Sequence, residues 1–267
     1  MKVMKPWLEL QKDILKELTI AEIKLSNITP VRIGGYNARP YSDALGLVEK
    51  VRTQAIKGIW RWWARAILAG ALLSTQGTLP STISEMNDEV SNLLGSTKES
   101  SHFFVQVEEM DYSFIALNKL QFIPRIKLLS MSSEQNKEER YYHPLRFKLT
   151  LGTRRRLTEP DKNTAMFALS SLLISLIFSG IGSITTRGFG KFRISLNSKN
   201  QLLINEINNL DKLLKELYSQ NKEDDVTKKL EEIILTSLNY AINYKSPGST
   251  VRKNVEINEL PPFPALL

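Results

Sequence analysis

Lys57, Arg61 and Arg65 stand four residues apart in AIKGIWRWWARAIL, the stretch from Ala55 to Leu68. On a helix that spacing is about one turn, so the three cations form a stripe along one flank, a shape suited to a row of phosphates. Trp62 projects nearly opposite the apolar side and close to Arg65, where an indole can stack on a base or a guanidinium. Ile56, Ile59, Trp60, Trp63 and Ile67 share the remaining face and are expected to be core. A charged stripe is also the ordinary outer face of an amphipathic helix, so the stripe alone supports either a ligand or plain solvation.

Three other constellations offer the same chemistry. The loop before this helix, VRIGGYNARPY, contains Gly34, Gly35 and Arg39. Paired glycines allow a close backbone approach and a helix N-terminus favours anions, but the GK[ST] ending of a Walker loop is absent. GTRRRL places Arg154, Arg155 and Arg156 at the end of a strand, which fits either phosphate contact or a solvated loop. GIGSITTRGFGKFRI combines Gly180, Gly182, Gly188 and Gly190 with Arg187, Phe189 and Lys191. Such a turn can form a phosphate nest with basic flanks. It leads from helix to strand, the reverse of a dinucleotide fingerprint, so no nucleotide cofactor is expected.

Catalytic candidates are few. His102 and His143 are the only histidines, neither has metal-ligand spacing, and the chain contains no cysteine. His143, after Tyr141 and Tyr142, is the better placed to act as a general base on an RNA 2′-hydroxyl, and Asp43 is the best isolated carboxylate. Nothing in the sequence orients either. No catalytic residue, metal site or cofactor is expected.

The elements that must position these residues follow from periodicity. Thr19–Ile28 alternates as a strand, and Thr53 caps a helix over about 54–73. A polar, loop-like stretch leads to a strand at His102–Glu108, with one or two further short strands expected between Asp111 and Leu129. Leu145, Phe147, Leu149 and Leu151 form one face of the next strand, and Arg146 and Lys148 make its other face basic. A helix starting near Pro160 and ending near Phe178, the glycine turn, and a strand over Lys191–Leu196 complete the series. The order strand, helix, strand, strand, helix, strand is that of an α+β, ferredoxin-like (RRM-related) βαββαβ core. Two charge-balanced helices follow between Leu202 and Tyr244, separated near 221–225, with an apolar tail at Leu260–Leu267. The expected division is therefore a core domain over 1–198 and a helical C-terminal extension over 199–267.

Charge is segregated along the chain. The total is +8, yet the residues up to Ser195 carry 27 Lys and Arg against 18 Asp and Glu, while those from Lys199 onward are nearly balanced. A polyanionic partner for the first three-quarters is the corresponding expectation. Ala165–Thr186 is uncharged and almost long enough to span a bilayer, but its serines, Gly180 and Gly182 shorten the apolar part to about four turns, the length of a buried core helix. With no signal-peptide pattern at the N-terminus, a soluble, cytoplasmic protein is expected.

TPVRIGGYNARPY, then IKGIWRWWARAIL, then GSITTRGFGKF, in that order, resemble the RAMP (repeat-associated mysterious protein) superfamily of CRISPR systems. Within it, the tryptophan-arginine helix is similar to that of the first subunit of the type III-B (Cmr) effector. The resemblance covers about Thr19–Ser195 and implies a non-catalytic, RNA-binding subunit. Such a subunit helps hold the guide RNA 3′ region and capture target RNA in antiviral defence, beside other RAMP subunits. It assigns Gly34, Gly35, Lys57, Arg61 and Arg65 to the loop and helix motif, and Gly180, Gly182, Arg187, Gly188, Phe189 and Gly190 to the glycine-rich loop. Family members pair two ferredoxin-like domains, whereas one plus a helical extension is legible here; a reduced second domain, one on another chain, and a fragment all fit. Two other readings compete: a metal-independent guide-RNA-processing endonuclease, and an assembly subunit docking through the apolar tail.

Overall fold

The structure, a computed structural model, describes residues 17–34, 41–42, 47–76, 83–116 and 140–248. Gly35, Arg39, Asp43 and the tail Leu260–Leu267 lie outside them. Six strands are present among these residues: β1 (Thr19–Asn27), β2 (Tyr41–Ser42), β3 (Leu47–Val48), β4 (Phe103–Ala116), β5 (Arg140–Thr153) and β6 (Phe192–Asn197). Five α-helices accompany them: α1 (Thr53–Gln76), α2 (Ile83–Leu94), α3 (Lys162–Phe178), α4 (Ile204–Ser219) and α5 (Glu223–Lys245).

The expected mixed α+β architecture is present. Four strands form one antiparallel sheet in the order β4-β5-β1-β6, and β2 and β3 pair separately. Alternation sets the two faces: Ile23 and Leu25 of β1, Leu145, Phe147, Leu149 and Leu151 of β5, and Ile194 of β6 are buried on one side. Lys24 and Arg146 are exposed on the other. Helices α1, α3 and α5 pack together over the buried side, with Ile56, Trp60 and Ile67 of α1 among the residues of the core. In α3 every residue from Ala165 to Leu176 is buried, which is why its sequence is apolar all round rather than in a stripe. No helix among the described residues is long and apolar enough to cross a membrane.

Helix α4 lies along the outer edge of β6. Its buried Asp211 carboxylate accepts the Leu196 N–H at 2.7 Å, and the Tyr218 hydroxyl donates to the Phe192 carbonyl at 3.2 Å. Two backbone groups of an edge strand are thereby satisfied by side chains, which blunts the edge against pairing with another chain.

Three details differ from the sequence reading. The stretch before His102, read as loop-like, holds α2, whose Met86, Val90, Leu93 and Leu94 are buried at helical spacing. One 14-residue strand, β4, runs through Asp111 where separate short strands were expected; register shifts after Glu108 and after Tyr112 interrupt its alternation. Finally, Thr53 is the first residue of α1, and its hydroxyl bonds the Gln54 side chain at 3.3 Å.

Candidate nucleic-acid interface

The glycine-rich turn and the loop leaving β1 are two halves of one structure. Ser183 N–H donates to the Arg32 carbonyl at 2.7 Å, Gly190 N–H to Pro30 at 3.0 Å, and Ile28 N–H to Lys191 at 2.7 Å. The Thr29 hydroxyl accepts the Lys191 N–H at 3.0 Å. Within the turn, Ile181 N–H reaches the Gly190 carbonyl at 2.9 Å. Gly180 and Gly190, at φ 73° and 63°, face each other across this crossing. A Cβ on Gly180 would overlap the Gly190 carbonyl oxygen, and one on Gly190 the Ile181 carbonyl oxygen. Both glycines are demanded by backbone-to-backbone packing. Gly182 lies against the Arg32 carbonyl in the same way. Gly188 alone among the turn's glycines has open space where its side chain would be.

The side chains of the turn divide likewise. Phe189 is buried against Tyr141, with ring centroids 5.6 Å apart. Lys191 Nζ donates to the Phe178 carbonyl at 2.6 Å, closing the C-terminus of α3, and burial pushes its ammonium below the usual lysine range. Arg187 is exposed at the tip. The Trp-Trp pair of α1 meets the start of this turn: Trp63 stacks on Phe178 at 5.3 Å and donates through Nε1 to Ser179 Oγ at 2.7 Å. Trp62 sits edge-on to Trp63 at 4.9 Å and remains 44% exposed, so its ring lies on the rim beside the turn. Gly34 is exposed on the partner loop.

The basic stripe of α1 is split by its contacts. Arg61 Nη2 donates to the carbonyls of Leu94 and Gly95, both at 3.0 Å, so it caps the C-terminus of α2, where a cation also meets the negative end of the helix dipole. Arg65 donates through Nε to the Arg61 carbonyl at 3.1 Å and through Nη1 to Asn87 Oδ1 at 2.5 Å. Two of the three cations thus clamp α1 to α2. Lys57 has no such anchor among the described residues. Burial first, then the charges of Arg61 and Arg154, hold its ammonium below the usual lysine range.

Arg154 reaches this neighbourhood because its N–H bonds the His102 carbonyl at 3.0 Å, and His102 N–H in turn bonds Leu93 at 3.2 Å at the end of α2. The end of β5, the end of α2 and the flank of α1 therefore converge on one cluster of positive charge. Arg155 turns away to Asp161, with Nη2 to Oδ1 at 2.7 Å, where Thr158 also donates to the same carboxyl from its N–H and its hydroxyl. These bonds hold the Asp161 carboxyl below its ordinary range. Arg156 is exposed.

The surroundings of the two histidines are structural among the described residues. Asn27 donates to the Thr29 carbonyl at 2.9 Å, accepts the Leu145 N–H at 2.7 Å, and its Nδ2 lies 3.1 Å from His143 Nδ1. That imidazole is part of a clamp holding β1 to β5. His102 is exposed. Among the described residues no group of three or more His, Asp or Glu could hold a metal ion.

The geometry defines a class: an α+β protein whose glycine-rich turn is laid on the loop that leaves its first strand, beside an arginine-bearing helix. The chain belongs to the RAMP superfamily, whose family model matches residues 24–193, from the middle of β1 into β6. Solved structures of similar fold include a chain of the type III-B Cmr-beta complex bound to cognate target RNA. It is 19% identical, with 82% of this chain and 62% of that chain covered and a TM-score of 0.60. A chain of the same complex with target RNA and AMPPnP, in the presence of ssDNA, is 18% identical over 90% of this chain and 66% of that one, at a TM-score of 0.59. The crystal structure of Cmr1 from Pyrococcus furiosus, in the apo form, is 21% identical over 82% and 60%, at 0.51. At these identities the likeness is one of fold, and the chain spans less than two-thirds of the length of each of these neighbours. No curated protein matches the sequence.

Proposed function

We propose that the chain is a non-catalytic RNA-binding subunit of a type III-B CRISPR effector, built on a ferredoxin-like core. In this reading it helps hold the guide RNA 3′ region and capture target RNA in antiviral defence, in contact with other RAMP subunits. The observation that carries the reading is a convergence of backbone and side chain: Arg61 is bonded to the Leu94 and Gly95 carbonyls at the end of α2, and Arg154, almost a hundred residues from Lys57, is tied through His102 to Leu93 at that same end, on the flank of α1 that bears Lys57. No carboxylate pairs with Lys57 or Arg154 among the described residues. A lysine whose charge is disfavoured first by burial and then by two neighbouring cations favours a polyanion as the missing counterpart. Family membership supports it, as does a four-stranded antiparallel sheet covered by helices on one face. Trp62 and Arg187, exposed beside the paired loops, extend the proposed surface.

The test is K57Q/R154Q, since Arg61 and Arg65 also hold α2. Labelled repeat-derived RNA is titrated across a range of salt concentrations, and the slope of log affinity against log salt is expected to fall by about two, one for each lost phosphate contact. An unchanged affinity and slope in the folded variant overturns the assignment. RNA recovered after incubation in EDTA is expected intact, and cleavage that disappears in H143A would replace this reading with that of a metal-independent nuclease.

A further inference from the structure

The side of the sheet opposite the helices carries a groove that the α1 surface does not explain. It measures about 870 Å³, within the range of ligand sites, and is floored by β1, β5 and β6 and walled by the end of α4. An exposed sheet face is ordinarily polar with mixed charge, so polarity alone signifies nothing. The imbalance across it is informative. On the β4 side the cations are matched: Lys148 lies 3.0 Å from Glu108 and 3.9 Å from Glu22, and Arg146 lies 3.7 Å from Asp111. Towards β6 and α4 only Lys215 is matched, by Asp211 at 2.6 Å. Lys24 and Arg193 have no carboxylate partner among the described residues, and both line the groove.

Strand register fixes their separation. Lys24 is paired with Ser195 and Ser26 with Arg193, so the two cations sit diagonally on neighbouring strands, roughly 8 Å apart at the backbone. The wall is aromatic: the Arg193 guanidinium lies 5.7 Å over the Tyr218 ring. The Tyr218 hydroxyl is tied to the Phe192 carbonyl, which fixes the ring in place. A fixed ring and guanidinium provide a stacking surface, and two spaced cations without a carboxylate partner among the described residues provide for phosphates. An acidic peptide would use the cations but has no need of the stack.

We propose that this groove binds a single-stranded RNA segment, with Lys24 and Arg193 on phosphates and the Arg193–Tyr218 pair against a base. The site is distinct from the Lys57–Arg154 cluster, because α1 packs on the buried side of the sheet and the groove lies on the other. The proposal rests on the reading of the chain as an RNA-binding protein and adds a second contact surface to it.

The experiment compares the wild-type chain, K24Q/R193Q and K57Q/R154Q in binding a labelled single-stranded RNA at several salt concentrations, with unfolding curves as the control for folding. K24Q/R193Q is expected to bind on the order of tenfold more weakly, with a slope lower by about two. If K24Q/R193Q binds like wild type while K57Q/R154Q is impaired, the groove is overturned and the RNA-binding reading stands. If the wild-type chain binds no RNA, both fail. Photo-crosslinking of 4-thiouridine RNA to the wild-type chain supplies a readout that does not depend on the variant folding: an adduct on the peptide containing Tyr218 is expected, and its absence among adducts elsewhere counts against the groove. Displacement of the RNA by a polyglutamate peptide of equal charge, as effectively as by unlabelled RNA, would overturn the assignment to nucleic acid in favour of an acidic protein partner.

Discussion

At the residue scale, Lys57 and Arg61 are the same charge one helical turn apart, and their surroundings give them opposite roles. Arg61 supplies two hydrogen bonds to carbonyls at the buried end of α2. R61A leaves them without that donor, and a loss of about 2 kcal/mol is expected, or roughly 4–8 °C in Tm. K57Q should do the reverse. The depressed Lys57 pKa means that the folded state gives up this proton more readily than the unfolded state, whose lysine keeps the ordinary value of 10.5. Charging Lys57 therefore costs the fold stability at neutral pH. That cost falls away as pH rises through the folded pKa towards 10.5, where the unfolded chain binds more protons. K57Q is expected to unfold at a higher temperature than wild type at pH 7, by a margin that narrows as pH is raised; a lower Tm at pH 7 would contradict a lysine whose charge is disfavoured by burial and by its cationic neighbours. The spacing of the three cations was legible in the sequence. Which of them had internal partners was not, because those partners belong to α2.

At the element scale, legibility followed local periodicity. β1, α1, β5, α3 and the two C-terminal helices announce themselves through alternation or helical spacing. Helix α2 does not, since Met86, Val90, Leu93 and Leu94 are set among Ser, Asn, Asp and Glu and the whole segment reads as polar. β4 was cut short because its register shifts break the two-residue period at the point where a sequence reader expects a strand to stop. The glycine turn was legible as a turn, but its reason is tertiary. Gly180 and Gly190 are glycines because the two ends of the turn cross there, Gly180 against the Gly190 carbonyl and Gly190 against that of Ile181, while residues 28–34 hold the turn in place through Pro30 and press on Gly182 at the Arg32 carbonyl. G190A combines φ 63° with overlap on the Ile181 carbonyl and should cost about 3 kcal/mol. G188A, at φ 92° with open space around it, should cost about 1 kcal/mol from backbone strain alone. Thermal unfolding of the two variants side by side distinguishes a turn shaped by packing from one shaped for a ligand: near-equal losses would argue against packing as the reason for Gly190.

At the scale of the whole molecule, the C-terminal helices close the core that the sheet begins. Ile207, Leu210 and Leu214 of α4 and Ile233, Leu238 and Ile242 of α5 are buried in the same cluster as the strands, and the Tyr244 ring stacks on Phe167 at 5.3 Å. Two ion pairs join the same parts: Lys162 with Glu206 at 2.7 Å and Lys245 with Glu89 at 2.5 Å. The charge change at residue 199 therefore marks a change in surface, since the basic excess lies on the part that supplies the proposed phosphate-binding cations of both sites, while the balanced helices face the core on one side and add the Tyr218 wall of the groove. Burial of those six aliphatic side chains contributes on the order of 9–18 kcal/mol before conformational entropy is set against it. That is as large as the whole net stability of a typical domain, about 5–15 kcal/mol. The two ion pairs are minor beside it, since pairs at a solvated surface contribute about 0–1 kcal/mol each. A chain ending at Ser198 would keep every sheet strand and all the residues of the RAMP match, yet expose the faces of α1 and α3 that α5 covers. It is expected to show no cooperative unfolding transition and to elute as aggregate on size exclusion, although the family match alone would suggest a complete unit. A monomeric peak with a sharp thermal transition would show instead that the sheet and its two covering helices form a core that stands without α4 and α5.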